Sequence, residues 1–201
     1  QASIVETGDL SELVKEADFV YNFAGLADIN ESIDLPFETM EKNVMGNINV
    51  LDACTASKIK RFVYASSAYA SSSRGSFYGI SKLTSEKIIE EYGSRSNLPF
   101  TIIRYGSLYG ERADYHNGVY RLLRDTLENR EIVCRVDGES TREYIHAKDA
   151  AKLSVDIIED RDYQNKHMIL TGVERLRQKE LMQMVKEILN DDIKIKYVKD
   201  P

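Results

Sequence analysis

The stretch Lys60–Lys82, KRFVYASSAYASSSRGSFYGISK, decides how the rest of the chain is read. It opens on Phe62, Val63 and Tyr64, aromatic and β-branched residues of the kind that fill a buried strand. A short polar loop rich in alanine and serine follows, and from about Phe77 to Tyr92 apolar residues recur at helical steps. Gly93 then stands where glycine commonly ends a helix. Strand, short loop and helix in that order make half of a βαβ unit, and the same alternation continues on both sides.

Upstream, DFVYNF (Asp18–Phe23) reads as a buried strand ending in the small residues Ala24 and Gly25. A long helix is expected from about Pro36 to Ser57, with Phe37, Met40, Val44, Ile48 and Leu51 at steps of three and four and Lys58 and Lys60 near its end. Downstream, FTIIRY after Pro99 is a third strand, and a helix from about Gly118 to Asn129 follows. From Ile132 onward the short runs EIVCRV, TREYIHA, KHMIL and IKIKYV read as strands, separated by helices at about Lys148–Glu159 and Gln178–Leu189. The pattern predicts an α/β fold, a parallel sheet covered by helices with a smaller region beside it.

Composition narrows the function. The 201 residues, 42% hydrophobic and 30% charged, suit a soluble globular protein of one large domain or one domain and part of a second. A net charge of −6 argues against a nucleic-acid partner, whose phosphates call for clustered Lys and Arg. No apolar run approaches the roughly 20 residues of a membrane span, and the opening QASIVETGDL lacks the form of a signal peptide. No membrane partner and a cytoplasmic location are expected. Cys54 and Cys134 show no CxxC spacing and His116, His146 and His167 no HxxxH spacing, so no metal site is expected. Nor does any GxGxxG or GxxGxxG occur, the turn that lets a helix N-terminus meet a pyrophosphate.

Tyr78 and Lys82 stand at i and i+4, neighbours on one helical face. A free tyrosine titrates near pH 10 and is a poor base at neutral pH unless a positive charge favours its phenolate. The Lys82 ammonium one turn away is expected to make that phenol more acidic. Ser67, at the carboxyl end of the strand before it, lies where parallel sheets present ligands and offers a hydroxyl to a reacting oxygen. By itself YxxxK is common on surface helices. The order of strand, terminal serine, loop and then YxxxK is what gives it weight.

These segments together resemble the extended short-chain dehydrogenases/reductases, especially their NAD-dependent sugar-nucleotide epimerase/dehydratase branch. The resemblance runs in order through YNFAGLADINES, EKNVMGNINVLDAC, KRFVYASSA, YGISK, IIRYGSLYGERAD and GESTREYIHAKDAA. It implies a Rossmann-type doubly wound parallel sheet, without its N-terminal portion and glycine-rich loop, and a smaller C-terminal α/β substrate-binding region. Residues 1–110 would form the partial dinucleotide-binding domain and 111–201 mainly the substrate region, some segments returning to the sheet. The expectation is that this is a portion of a longer chain.

The resemblance also implies roles. Tyr78 would be general base and acid, Lys82 its partner and ribose ligand, and Ser67 the hydroxyl on the reacting oxygen. Cofactor contacts would come from Asp9 with Leu10, from Phe23, Ala24, Gly25, Asn43 and Ser66, and from Tyr105 with Tyr78 and Lys82. For Asp9 a helix N-cap is an equally good account. Ser67, Ser107, Asn117 and Arg142 would touch substrate, Arg142 by gripping a diphosphate, unless it is held in an exposed salt bridge. His146 and Asp149 read as structural. Ala68 and Tyr69 replace the acidic pair of the 4,6-dehydratases, so dehydration is disfavoured.

The function implied is epimerisation of a nucleotide-diphosphate sugar through a transient keto intermediate, with NAD as cofactor and NADP left open. The alternatives are a reductase or dehydrogenase of a keto sugar or other small carbonyl compound and, further off, a non-catalytic dinucleotide-binding relative. A homodimer through a four-helix bundle, built from the helices at about Pro36–Ser57 and Phe77–Tyr92, is also expected.

Overall fold

The computed structural model describes residues 3–6, 8, 10–134, 138–189 and 192–198. The chain forms two compact units, one of the described residues up to Tyr105 with Leu153–Leu170, the other of Gly106–Lys152 with the described residues from Thr171 onward.

In chain order the first unit holds α1 (Leu10–Val14), β1 (Phe19–Asn22), α2 (Ile29–Asp34), α3 (Pro36–Met40), a π-helical turn (Glu41–Met45), α4 (Gly46–Ser57), β2 (Arg61–Ser67), a 3-10 turn (Ala68–Ser71), α5 (Ser76–Ser96) and β3 (Phe100–Tyr105). The second contributes β4 (Ser107–Tyr109), α6 (Gly118–Asn129), β5 (Glu131–Cys134) and β6 (Thr141–His146). Then come α7 (Ala147–Glu159), whose residues from Leu153 belong to the first unit, and β7 (Lys166–Leu170), also of the first unit. The chain continues through β8 (Arg175–Arg177), α8 (Gln178–Leu189) and β9 (Lys194–Tyr197) of the second.

The first unit is built on a four-stranded sheet in the order β1-β2-β3-β7, every pair parallel. Strand β2 is buried almost along its whole length, as a parallel strand covered on both faces must be. Phe62, Tyr64 and Ile102 are directed into one core with Val50, Leu51 and Cys54 of α4 and Ile89 of α5, while Val63 and Ile103 alternate to the other face. Burial in that core pushes the Cys54 thiol up to about 12, leaving it inert. The buried Arg61 guanidinium donates to the carbonyls of Ile157 and Asp160 at 3.3 and 3.0 Å, a cation at the dipole-negative end of α7.

Two helices depart from expectation for physical reasons. The helix stretch from Pro36 to Ser57 contains the π turn, closed by the Gly46 N–H donating to the Glu41 carbonyl, and this turn holds the buried Asn43. Helix α5 does not stop at Gly93 but runs to Ser96, and Asn97 takes the left-handed position with φ 53°. Gly93 serves close approach instead, since a Cβ there would lie 2.6 Å from the Phe100 ring. Helix α2, which sequence patterning left unassigned, begins where Asp28 accepts from the Glu31 N–H at 2.9 Å.

In the second unit β4 pairs parallel with β6, β6 pairs antiparallel with β8, and β5 pairs parallel with β9. Its core joins Ile132 and Cys134 to Met182, Val185 and Ile193.

Candidate active site

Parallel pairing in register brings the carboxyl ends of β1, β2 and β3 to one edge of the sheet, with Ser67 opposite Tyr105. Ser67 is the last residue of β2, and its Oγ accepts from the Tyr69 N–H at 3.2 Å, capping the 3-10 turn. That turn lies against the start of α5, because Gly79 has no side chain: a Cβ there would sit 2.8 Å from the Tyr69 carbonyl oxygen. Tyr78 is thereby brought beside Ser67, and its backbone N–H donates to Ser32 Oγ at 3.2 Å.

Lys82, Glu86 and Ile89 continue the buried stripe of α5. The Lys82 ammonium donates to the Ala65 carbonyl at 2.8 Å and lies 4.8 Å from the centre of the Tyr64 ring and 5.8 Å from that of Tyr78. Burial lowers Lys82 to about 8, against the raising influence of the Glu86 charge. Burial likewise raises the Tyr78 phenol, only partly offset by the Ser67 hydroxyl, while Tyr69 adds to the rise. The expected acidification of the phenol is therefore reversed here. Loss of water is the largest influence on the phenol, and the only offset is the Ser67 hydroxyl.

Asn43 is a brace. Its side chain accepts from the Leu26 N–H at 2.7 Å and donates to the Leu26 carbonyl at 2.9 Å and to Ser81 Oγ at 2.8 Å. Its own carbonyl accepts from Ser85 Oγ at 2.7 Å. These bonds tie the loop after β1 to α5 and engage both amide N–H donors. Gly25, at φ 145°, passes so close to the Asn43 amide that no side chain fits.

Phe23 is 62% exposed just past β1 and stacks against Tyr21 and Tyr105, with ring centres 6.2 and 6.0 Å away. The Ala24 N–H donates to Asn22 Oδ1. Tyr105 shares a 2.7 Å hydrogen bond with Ser154, and burial raises its phenol. Ser66 turns away from this edge: its hydroxyl donates to the wholly buried Glu86, which also receives two bonds from Arg104. Leu10 is buried in the core of the first unit. Asp9 lies outside the described residues.

In the second unit Ser107 is half-buried at the start of β4, opposite Tyr144. Asn117 caps α6, accepting from the Val119 and Tyr120 N–H groups at 3.1 Å and donating to the Leu108 carbonyl at 2.7 Å. Its amide is occupied by that task. It also borders a cavity of about 310 Å³ with Tyr109, Glu111, Tyr120, Leu123 and His146. His146 Nδ1 accepts from the Lys148 N–H, a capping role at the start of α7. Arg142 is exposed, and among the described residues no ion pair holds it.

Sequence reading did not single out Ser32, Ser81, Glu86 or Arg104. Only Glu86 carried a signal: it repeats the helical step from Tyr78 to Lys82 once more.

The family model described as NAD dependent epimerase/dehydratase family matches residues 1–171. The uncharacterized UDP-glucose epimerase YtcB of Bacillus subtilis is 27% identical over 159 residues, 73% of this chain and 50% of that protein. A UDP-N-acetyl-alpha-D-glucosaminuronate decarboxylase of Bacillus cytotoxicus is 25% identical over 218 residues, 98% of this chain and 67% of that protein. In fold, the chain resembles the UDP-glucuronic acid 4-epimerase of Bacillus cereus, solved with UDP-glucuronic acid and NAD, with a TM-score of 0.89 at 23% identity, covering 99% of this chain and 68% of that one. The chain spans about half the length of the first of these relatives.

Proposed function

The chain belongs to the NAD dependent epimerase/dehydratase family, and from that premise we propose that it carries the nicotinamide end and catalytic edge of an enzyme that epimerises a nucleotide-diphosphate sugar. The observation that carries the reading is the gathering of Ser67, Tyr78 and Lys82 at the carboxyl edge of a parallel sheet. The names of relatives, among them an uncharacterized UDP-glucose epimerase and a UDP-sugar decarboxylase, support a nucleotide-sugar substrate.

The residues present fit the nicotinamide riboside part of NAD. Lys82 has three N–H donors and gives one to Ala65, leaving two for ribose hydroxyls. Phe23 and Tyr105 offer aromatic surface at the same sheet edge. No glycine-rich turn for the pyrophosphate occurs in the 201 residues.

Bound NAD would supply hydride acceptance and return. Tyr78 takes the proton from the sugar hydroxyl as that carbon is oxidised and gives one back when the keto sugar is reduced on its other face. Ser67 donates a hydrogen bond to the oxygen on which charge changes. The Lys82 ammonium supports the phenolate and orients the ribose, and the exposed Arg142 is offered to the diphosphate, a bidentate task for a guanidinium.

A second reading, reduction of a keto sugar or other small carbonyl compound, is favoured by one observation. Burial raises the Tyr78 phenol, which favours the protonated form that donates. Stoichiometry separates the two. Incubating the full-length protein with NAD and UDP-hexoses should give epimer by NMR with no net change in nicotinamide absorbance, whereas consumption of one NADH per product would mark a reductase.

A further inference from the structure

We propose that Glu86 is a positioning residue for this reaction, its buried carboxylate serving through Lys82 to keep the ammonium charged beside Tyr78. The inference rests on the role just proposed for Tyr78 and Lys82.

Tyr78, Lys82 and Glu86 follow one another at steps of four on α5, so their side chains share one helical face. Glu86 is wholly buried, which is rare for a carboxylate unless it is held on every side. It accepts from Ser66 Oγ, and Arg104 grips it in the forked manner, with Nε at 2.9 Å and Nη2 at 2.5 Å. His167 Nδ1 of β7 lies 3.6 Å from it, while His167 Nε2 contacts Glu90. Three strands, β2, β3 and β7, thus place a side chain against this charge one turn from Lys82.

No carboxylate is in direct ion-pair contact with Lys82 among the described residues, and Glu86, one helical turn away, acts on it through space. Its ammonium meets the Ala65 carbonyl and the rings of Tyr64 and Tyr78. Tyr69 of the 3-10 turn acts on Tyr78. The charged residues of α2, α3 and the π turn, Glu31, Asp34, Glu38, Glu41 and Lys42, form no ion pair with Lys82 or Glu86, and Asp52 of α4 is bound to Tyr92. A buried ammonium with no opposing charge nearby tends to shed its proton. Without its proton Lys82 could neither favour a phenolate nor donate fully to a ribose.

The arrangement makes a signed prediction. Competitive acetylation of the full-length protein, read by mass spectrometry from about pH 6 to pH 11, gives the protonation midpoint of Lys82 itself. In Glu86→Gln that midpoint should fall by about one pH unit, and the alkaline limb of turnover should move down with it. Simple loosening of the core would do the opposite, returning the lysine toward about 10.4. An unchanged or raised midpoint overturns the proposal. Should Glu86→Gln not fold, the paired change Glu86→Gln with Arg104→Gln removes the carboxylate together with its own partner and should still lower the midpoint, by less because a cation is lost with it; an unchanged or raised midpoint there overturns the proposal too. The labelling does not depend on turnover, so failure of the catalytic reading for Tyr78 would be seen separately, as activity retained by Tyr78→Phe.

Discussion

Lys82 shows how a single side chain can serve function at the expense of the fold. Its protonation midpoint is about 8 in the folded chain against 10.5 for a free side chain. Between those values the unfolded chain holds more protons, so this residue makes stability rise with pH through that window. Below about pH 8 the full penalty applies, on the order of 3 kcal/mol. Replacing the ammonium by an apolar chain of similar length should relieve it, less the hydrogen bond to Ala65. Thermal unfolding of Lys82→Met at pH 7 is expected to give a midpoint a few degrees higher, a gain of roughly 1–2 kcal/mol. The gain should shrink toward pH 10, and turnover should drop by at least about a hundredfold. A variant equally destabilised at all pH values would contradict this account.

The elements that carry the site were legible because their signals are local. Continuous runs of aromatic and β-branched residues mark β2 and β3, buried almost throughout, and the YxxxK step fixes which face of α5 turns inward. What could not be read is where a residue serves a contact made much later in the chain. Gly93 has the form of a helix stop, yet its purpose is to admit the Phe100 ring, a contact the linear pattern does not encode. Gly93→Ala would gain helix propensity of about 1 kcal/mol, but the added methyl meets that ring at 2.6 Å. Denaturant unfolding should therefore show a net loss of roughly 1–2 kcal/mol, and a stabilised variant would show that the ring can move aside. Asn43 is expected from the resemblance to touch cofactor, but its partners Leu26 and Ser81 emerge only from the fold. Removing its amide in Asn43→Ala leaves the buried Leu26 N–H and carbonyl unpaired. The expected loss is about 2–4 kcal/mol by the same measurement, with turnover falling as the loop after β1 loosens.

At the scale of the molecule, the parallel sheet and the family were readable because many ordered segments agree, whereas contacts beyond the chain are not encoded so directly. We propose the homodimer expected from the helices at about Pro36–Ser57 and Phe77–Tyr92, on the ground that Phe37, Phe77 and Ile80 there are exposed, Phe37 by 73%. Sedimentation of the full-length protein at micromolar concentration should then give a dimer, and Phe37→Glu with Ile80→Glu a monomer; an unchanged mass for the variant would contradict that interface. No helix among the described residues is long and apolar enough to cross a membrane. The central claim is that proton transfer at a sugar hydroxyl passes through the Tyr78 phenol. Its most direct test is turnover of a UDP-hexose by full-length Tyr78→Phe beside the parent protein, with circular dichroism confirming the fold. The account predicts a drop of about 10² to 10⁴-fold in a folded protein, and turnover within a few-fold of the parent would contradict it.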